Sequence, residues 1–193
     1  MQDAICLPAD QEFAPDAKPL ALSHRKARRW LRAWCDTAFR ALLLFAIAQM
    51  WIIQGYKVFG SCMEPNLNTG ERLLGSKLAL VEGVHRGDVI VFRPPHKPET
   101  AFIKRVIGLP GEMLEIRNNQ VYVNDRPLNE PYLRRAWHDD RRAERIPDHM
   151  LYVMGDNRDN SNDSRSWGEL PLTNVQAKAW VRYWPLDRFG VIR

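Results

Sequence analysis

The chain has 193 residues, room for one domain and an appendage, and 45% are hydrophobic, which excludes wholesale disorder. Lys and Arg total 28 against 23 acids, a formal net charge of +5. That balance alone would suit nucleic acid or an anionic membrane surface. Six of the bases, however, crowd between His24 and Arg40 beside a single acid, Asp36. The three cysteines, Cys6, Cys35 and Cys62, are too few and too widely spaced for a disulfide framework or a metal site.

In chain order, residues 1–23 are rich in Ala, Pro and Asp, lack periodicity and read as a flexible tail. Residues 24–40 are basic, with Trp30, Trp34 and Phe39 interleaved. The run ALLLFAIAQMWII, Ala41 to Ile53, has one polar member, Gln49. It is shorter than the roughly 20 residues of a membrane span. Extending it to 37–59 reaches spanning length, with Arg40 and Lys57 placed to snorkel toward headgroups. No A-x-A-like site follows, which disfavours a cleaved signal peptide. A buried core helix and a single membrane anchor remain, and the basic, Trp-rich flank favours the anchor. The positive-inside rule then gives a cytoplasmic basic tail at 1–36, a transmembrane anchor at 37–59, and residues 60–193 across the lipid bilayer.

Past the anchor the pattern is strand-like. ERLLGSKLAL, GDVIVFRPP and AFIKRVIGLPG are short apolar runs bounded by Gly and Pro. MLEIRNNQVYVNDRPL alternates on both sides of Asn118-Asn119 and reads as a hairpin. Residues 134–147 are charged and aperiodic, as expected of an exposed loop or small insert. LYVMGD and NVQAKAWVRYWPL supply further strands, and no helix of convincing length appears after the anchor. The expected fold class is mainly β.

Three segments could carry chemistry: GSCMEPNL, FIKRVIGLPGE and GDNRDNSNDSRSWG. Each has a plain reading as well: a strand ending in a turn, a paired or snorkelling lysine, and a solvated loop with Asx-turns. Lys104 stands out because Ala101, Phe102, Ile103, Val106 and Ile107 surround it. Desolvation there would favour the neutral amine, which can act as general base toward a hydroxyl or a thiol. Ser61 and Cys62 are both candidate nucleophiles, and the five histidines fit no triad.

Taken in order, these segments resemble the boxes of bacterial type I signal peptidases, the Ser/Lys-dyad leader peptidases of the S26 family. Cys62-Met63-Glu64-Pro65-Asn66-Leu67 resembles S-M-x-P-T-L, and Gly87 to Pro95 resembles the following box. Lys104 to Gly111 resembles the general-base box. Gly155-Asp156-Asn157-Arg158, with Ser161, Asp163-Ser164-Arg165 and Trp167-Gly168, resembles the last. The similarity runs from about Arg40 to Arg193. Two departures stand out: Cys62 occupies the Ser position, and Asn66 replaces Thr. Ser61 is one residue early, which in an extended strand turns its side chain to the other face.

The resemblance implies a signal-peptidase-like β-sheet domain behind one transmembrane helix. It implies a membrane-anchored endopeptidase, of a bacterial cytoplasmic or thylakoid membrane, that removes signal peptides from exported preproteins. No cofactor, metal or nucleic-acid partner is implied. Cys62 would be the nucleophile and Lys104 the general base, with Ser161 orienting the Lys104 amine. Asp163 and Arg165 would form a supporting ion pair, and Asp156 and Arg105 would be structural. Gly60 stands where some members carry an oxyanion-hole Ser, so that hole would rest on main-chain N–H groups, including that of Cys62. Strands ending at Cys62 and Lys104 would hold the substrate extended. Val58, Met63, Pro65, Leu67, Phe102 and Ile103 would contact it. A thiol beside Lys104 would lose its proton at rest, leaving the base already protonated and the activity impaired. The alternative is a catalytically inactive, membrane-tethered peptide-binding homologue. A related self-cleaving DNA-binding regulator is disfavoured by the anchor and by the lack of a helix-turn-helix pattern.

Overall fold

The computed structural model describes residues 21–134 and 136–192. It divides into two compact units, the first ending at Ala46 and the second starting at Ile47. Helix α1, Ala21–Ile52, accounts for the described part of the first unit and runs across that boundary. Trp30, Trp34, Phe39, Leu42, Leu44 and Phe45 are exposed along it. Among the described residues no helix is long and apolar enough to cross a membrane. The expected tail falls outside the described residues at 1–20 and is helical from Ala21 onward.

The span expected over 37–59 is not one element, because helix gives way to strand β1, Ile53–Lys57. The physical reason lies in β2, Arg72–Ser76, which pairs antiparallel with β1 in register Tyr56↔Leu73 and Gln54↔Gly75. Gly75 makes room for the Tyr56 ring: a Cβ there would lie 2.7 Å from it. Lys57 therefore ends a strand rather than a membrane helix.

The second unit continues with β3 (Val89–Phe92), β4 (Phe102–Gly108), β5 (Met113–Arg117), β6 (Gln120–Val123) and β7 (Arg126–Pro127). Then follow β8 (Arg141–Arg145), β9 (Met150–Met154), the short helix α2 (Ser164–Trp167), β10 (Leu170–Pro171), β11 (Val175–Trp184) and β12 (Gly190–Val191). The larger sheet has the order β1-β2-β11-β3-β4-β9-β10, with β12 on β11, and the smaller is β7-β6-β5-β8. The mainly β class expected from the sequence is what the chain forms. Asn118 and Asn119 both take positive φ, 49° and 65°, as the tight β5–β6 hairpin requires.

Strand β3 is buried along its whole length because β11 and β4 flank it. Its alternation splits the core. Ile90 and Phe92 join Val106, Leu151, Val153 and Leu170, whereas Val89 joins Val58, Met63, Leu67 and Leu73. Each such side chain contributes about 1.5–3 kcal/mol by leaving water.

Residues 134–147 are more than a loop. Arg141–Arg145 pair with β5 as an edge strand, and Trp137 and Ile146 are buried in the core of the small sheet. The strand is illegible because its side chains are mostly exposed and its register shifts between Leu114 and Ile116, which erases apolar alternation.

Candidate active site

Cys62 opens a turn over residues 62–66 rather than ending a strand. Met63 and Leu67 lie one helical turn apart, the Leu67 N–H donates to the Met63 carbonyl at 2.9 Å, and both side chains enter the core. Met63 and Leu67, expected to contact substrate, are 0% and 2% exposed and are not part of the lining of the groove that Cys62 shares with Lys104. Gly60, with φ of 84°, carries the chain from β1 into the turn in a conformation that favours glycine.

Lys104 lies within β4 opposite Ile90 and is 3% exposed. Its Nζ donates to the Ile103 carbonyl at 3.2 Å and sits 5.5 Å from the Phe102 ring centroid. The Cys62 thiol addresses the same carbonyl at 3.8 Å. Pairing with β9 begins only at Arg105, so among the described residues no strand pairs with β4 at Ile103 on that side. Alternation of the ladder turns the Ile103 main chain toward that side.

The polar segment after β9 clamps the Cys62 turn. Gly155 lies so close that a Cβ there would be 2.4 Å from the Cys62 carbonyl oxygen and 2.3 Å from Ser161 Oγ. The Asn157 N–H donates to the Cys62 carbonyl, and its Nδ2 to the Ser61 carbonyl, both at 3.0 Å. Asn160 Nδ2 donates to Ser61 Oγ at 2.7 Å. These asparagine roles carry no signal beyond their place in a polar run.

The hydrogen bond expected from Ser161 to Lys104 is not formed. Lys104 Nζ turns to the main chain instead, and Ser161 Oγ is buried beside the Asp163 carboxylate. Behind it, Arg165 donates to Asp163 through Nε at 2.8 Å and Nη2 at 2.9 Å, and the Gly155 N–H donates to the same carboxylate at 2.9 Å. Burial by itself pushes the Asp163 carboxyl up. The Arg165 bonds and charge and the Gly155 N–H outweigh it and hold the carboxyl below the ordinary range.

A second ion pair joins Arg105 to Asp156 through two bonds, 2.8 and 2.7 Å, with both side chains almost wholly buried. Asn66 ties the Cys62 turn to this pair: its Nδ2 donates to Asp156 Oδ2 at 2.8 Å and to the Tyr132 carbonyl at 2.9 Å. Glu130, Tyr132, Trp137 and Asp139 cover three arginines of the boxes. Tyr132 stacks on Arg105 at 4.0 Å, Trp137 on Arg158 at 4.7 Å, and Glu130 pairs with Arg158. Asp139 reaches Arg165 at 3.6 Å. Sequence reading left this segment without a role, because aromatic stacking on distant guanidinium groups has no periodic signature.

A groove of about 410 Å³ has Val58, Leu73, Val91, Phe102 and Ile103 as its apolar wall, and Cys62 and Lys104 both line it. Tyr56, Lys57 and Asn162 line it too, and none of them was expected at the site from the sequence. Ser61 is not part of its lining. Pro65 opens instead onto a separate depression of about 120 Å³ beside Asp156 and Arg158. Among the described residues no group of His, Cys, Asp and Glu could hold a metal ion.

Residues 31–184 match the family described as signal peptidase, peptidase S26. The chain is 38% identical over 158 residues to the probable signal peptidase I-1 of Synechocystis sp., covering 78% of this chain and 81% of that protein. It is 34% identical over 184 residues to signal peptidase I of Leptolyngbya laminosa, covering 91% and 90% of the two chains. It is 34% identical over 181 residues to signal peptidase I of Bacillus caldolyticus, covering 86% and 95%. The family match takes in the Cys62 turn, Lys104 and the segment from Gly155 to Trp167, and so includes both sides of the groove. The chain belongs to the signal peptidase I family of endopeptidases, peptidase S26.

Proposed function

We propose that this protein cuts signal peptides from exported preproteins, with Cys62 as nucleophile and Lys104 as its proton acceptor. The observation that carries this reading is the convergence of both side chains on the Ile103 carbonyl, at an open strand edge within one apolar groove. An extended peptide adds to that edge through main-chain hydrogen bonds, and small side chains face the apolar wall. The Cys62 sulfur attacks the scissile carbonyl carbon as its proton passes to Lys104, and the carbonyl electron pair moves onto the carbonyl oxygen, which accepts a hydrogen bond from the Cys62 main-chain N–H. As the C–N bond breaks, the Lys104 ammonium gives its proton to the leaving amine. Water, deprotonated by Lys104, then cleaves the thioester.

A thiol stands where the resemblance places a hydroxyl, and sulfur is larger than the oxygen it replaces. Cleavage is therefore slower than that of a Cys62→Ser variant. Attachment to a bilayer through α1 is part of the proposal, with the basic N-terminal side cytoplasmic and the groove on the opposite face. The exposed Trp30 and Trp34 and the apolar run from Leu42 to Phe45 support it. The presence of Cys62 also favours a second reading, a homologue that binds signal peptides without cutting them. Incubating the detergent-solubilised protein with a preprotein bearing an A-x-A site separates the two. Product from the parent supports the peptidase. Product from Cys62→Ser alone supports the binding homologue.

A further inference from the structure

The groove wall carries two lysines, Lys57 and Lys104, and no carboxylate. Lys104 is 3% exposed and its Nζ is held by the Ile103 carbonyl, so the lysine that faces solvent at the groove is Lys57. Lys57 has no ion-pair partner among the described residues. Its ammonium lies 5.2 Å from the ring centroid of Phe59, itself 71% exposed. This contact holds the cation at the groove edge without neutralising it. An extended peptide on the Ile103 edge of β4 lies in the same groove, so its side chains pass within reach of this cation.

Building on the peptidase reading, we propose that Lys57 is a specificity-determining residue, selecting signal peptides that carry an acidic side chain, Asp or Glu, in the residues just before the cut. Lysine or arginine at the same place is rejected, because a cation brought into a partly apolar groove beside Lys57 finds no counter-charge. The interaction is partly solvated, so the preference is modest, about two- to fivefold for Glu over Gln, and weakens with added salt.

The test uses the full-length protein in detergent and a set of fluorescent A-x-A signal peptides. With both Ala of the site kept, Glu, Gln or Lys is placed in turn at the residue between them and at the two residues that precede the site. Binding and cleavage are both measured for the parent, Lys57→Gln and Lys57→Glu. At one position the parent should bind Glu above Gln above Lys. Lys57→Gln should flatten that order and Lys57→Glu should reverse it. The same order in all three proteins, or no position with a charge preference, overturns the proposal. An unchanged peptide order with weakened binding of Lys57→Glu to anionic vesicles also overturns it, and assigns the cation to lipid headgroups. Charge-ordered binding without cleavage leaves Lys57 as the selector and overturns the peptidase reading alone.

Discussion

The Cys62 thiol and the Lys104 amine share one acceptor, the Ile103 carbonyl, at 3.8 and 3.2 Å. The thiol reaches a carbonyl 41 residues away in sequence, and two polar groups are thus aimed at one point of a strand edge. A bound peptide whose N–H takes the Ile103 carbonyl would release both groups toward each other and toward the scissile bond. On this account the resting hydrogen bonds place the dyad, and substrate completes it.

Removing the amine should therefore silence the site without unfolding it. Lys104→Ala is expected to lower cleavage by about 10²- to 10⁴-fold. It should also slow alkylation of the Cys62 thiol by iodoacetamide, since the neighbouring base is gone. Rates of both, with a thermal melt as control, check this. Undiminished cleavage by Lys104→Ala would remove Lys104 from the chemistry.

Gly155→Ala tests the close approach that holds the Cys62 turn. The added Cβ would sit 2.3 Å from Ser161 Oγ and 2.4 Å from the Cys62 carbonyl, and the second of these is main chain that cannot swing aside. Overpacking of this kind costs about 1–3 kcal/mol. Urea denaturation should show that loss, and cleavage should fall further than stability does. A silent Gly155→Ala would mean that the turn is free to move.

Acid stability should depend on Asp163. Its carboxyl is held below the ordinary value of 3.8, so the Arg165–Asp163 pair contributes fully above that pH. The contribution is lost as pH falls through the lowered folded-state value. Asp163→Asn should be less stable than the parent near neutrality, and the difference should shrink as pH falls below about 4. Melts from pH 7 to pH 2 measure it. A gap that stays constant across that range would assign the effect to packing instead of charge.

The strap over the arginines should be structural. Trp137 is 4% exposed and stacks on Arg158. Trp137→Ala is expected to cost about 3–5 kcal/mol. Trp137→Phe should recover much of it. A Trp137→Ala protein with the parent's melting temperature would show that Trp137 leaves the core in solution.

Some of this was legible from residues alone and some was not. The β class and the buried β3 and β4 followed from short apolar runs bounded by Gly and Pro, and the Asn118-Asn119 hairpin from alternation and turn chemistry, because those strands pack against neighbours that enforce the pattern. Lys104 stood out as a cation in an apolar strand. The helix boundary was misplaced because Ile53 and Tyr56 are apolar in either state, and only pairing with β2 across Gly75 makes them strand. Met63 and Leu67 looked like pocket residues because apolar side chains beside a nucleophile position read alike whether they face substrate or core. The tie from Asn66 to Asp156 joins residues 90 apart, and no local pattern reports it.

The central claim is that Cys62 holds the nucleophile's place. Cleavage of an A-x-A preprotein by the parent, Cys62→Ser and Cys62→Ala, all with Ser61 intact, tests it most directly. The account predicts Cys62→Ser above the parent, Cys62→Ala at background, and a parent activity abolished by thiol alkylation. Cleavage by Cys62→Ala at the parent's rate would contradict it.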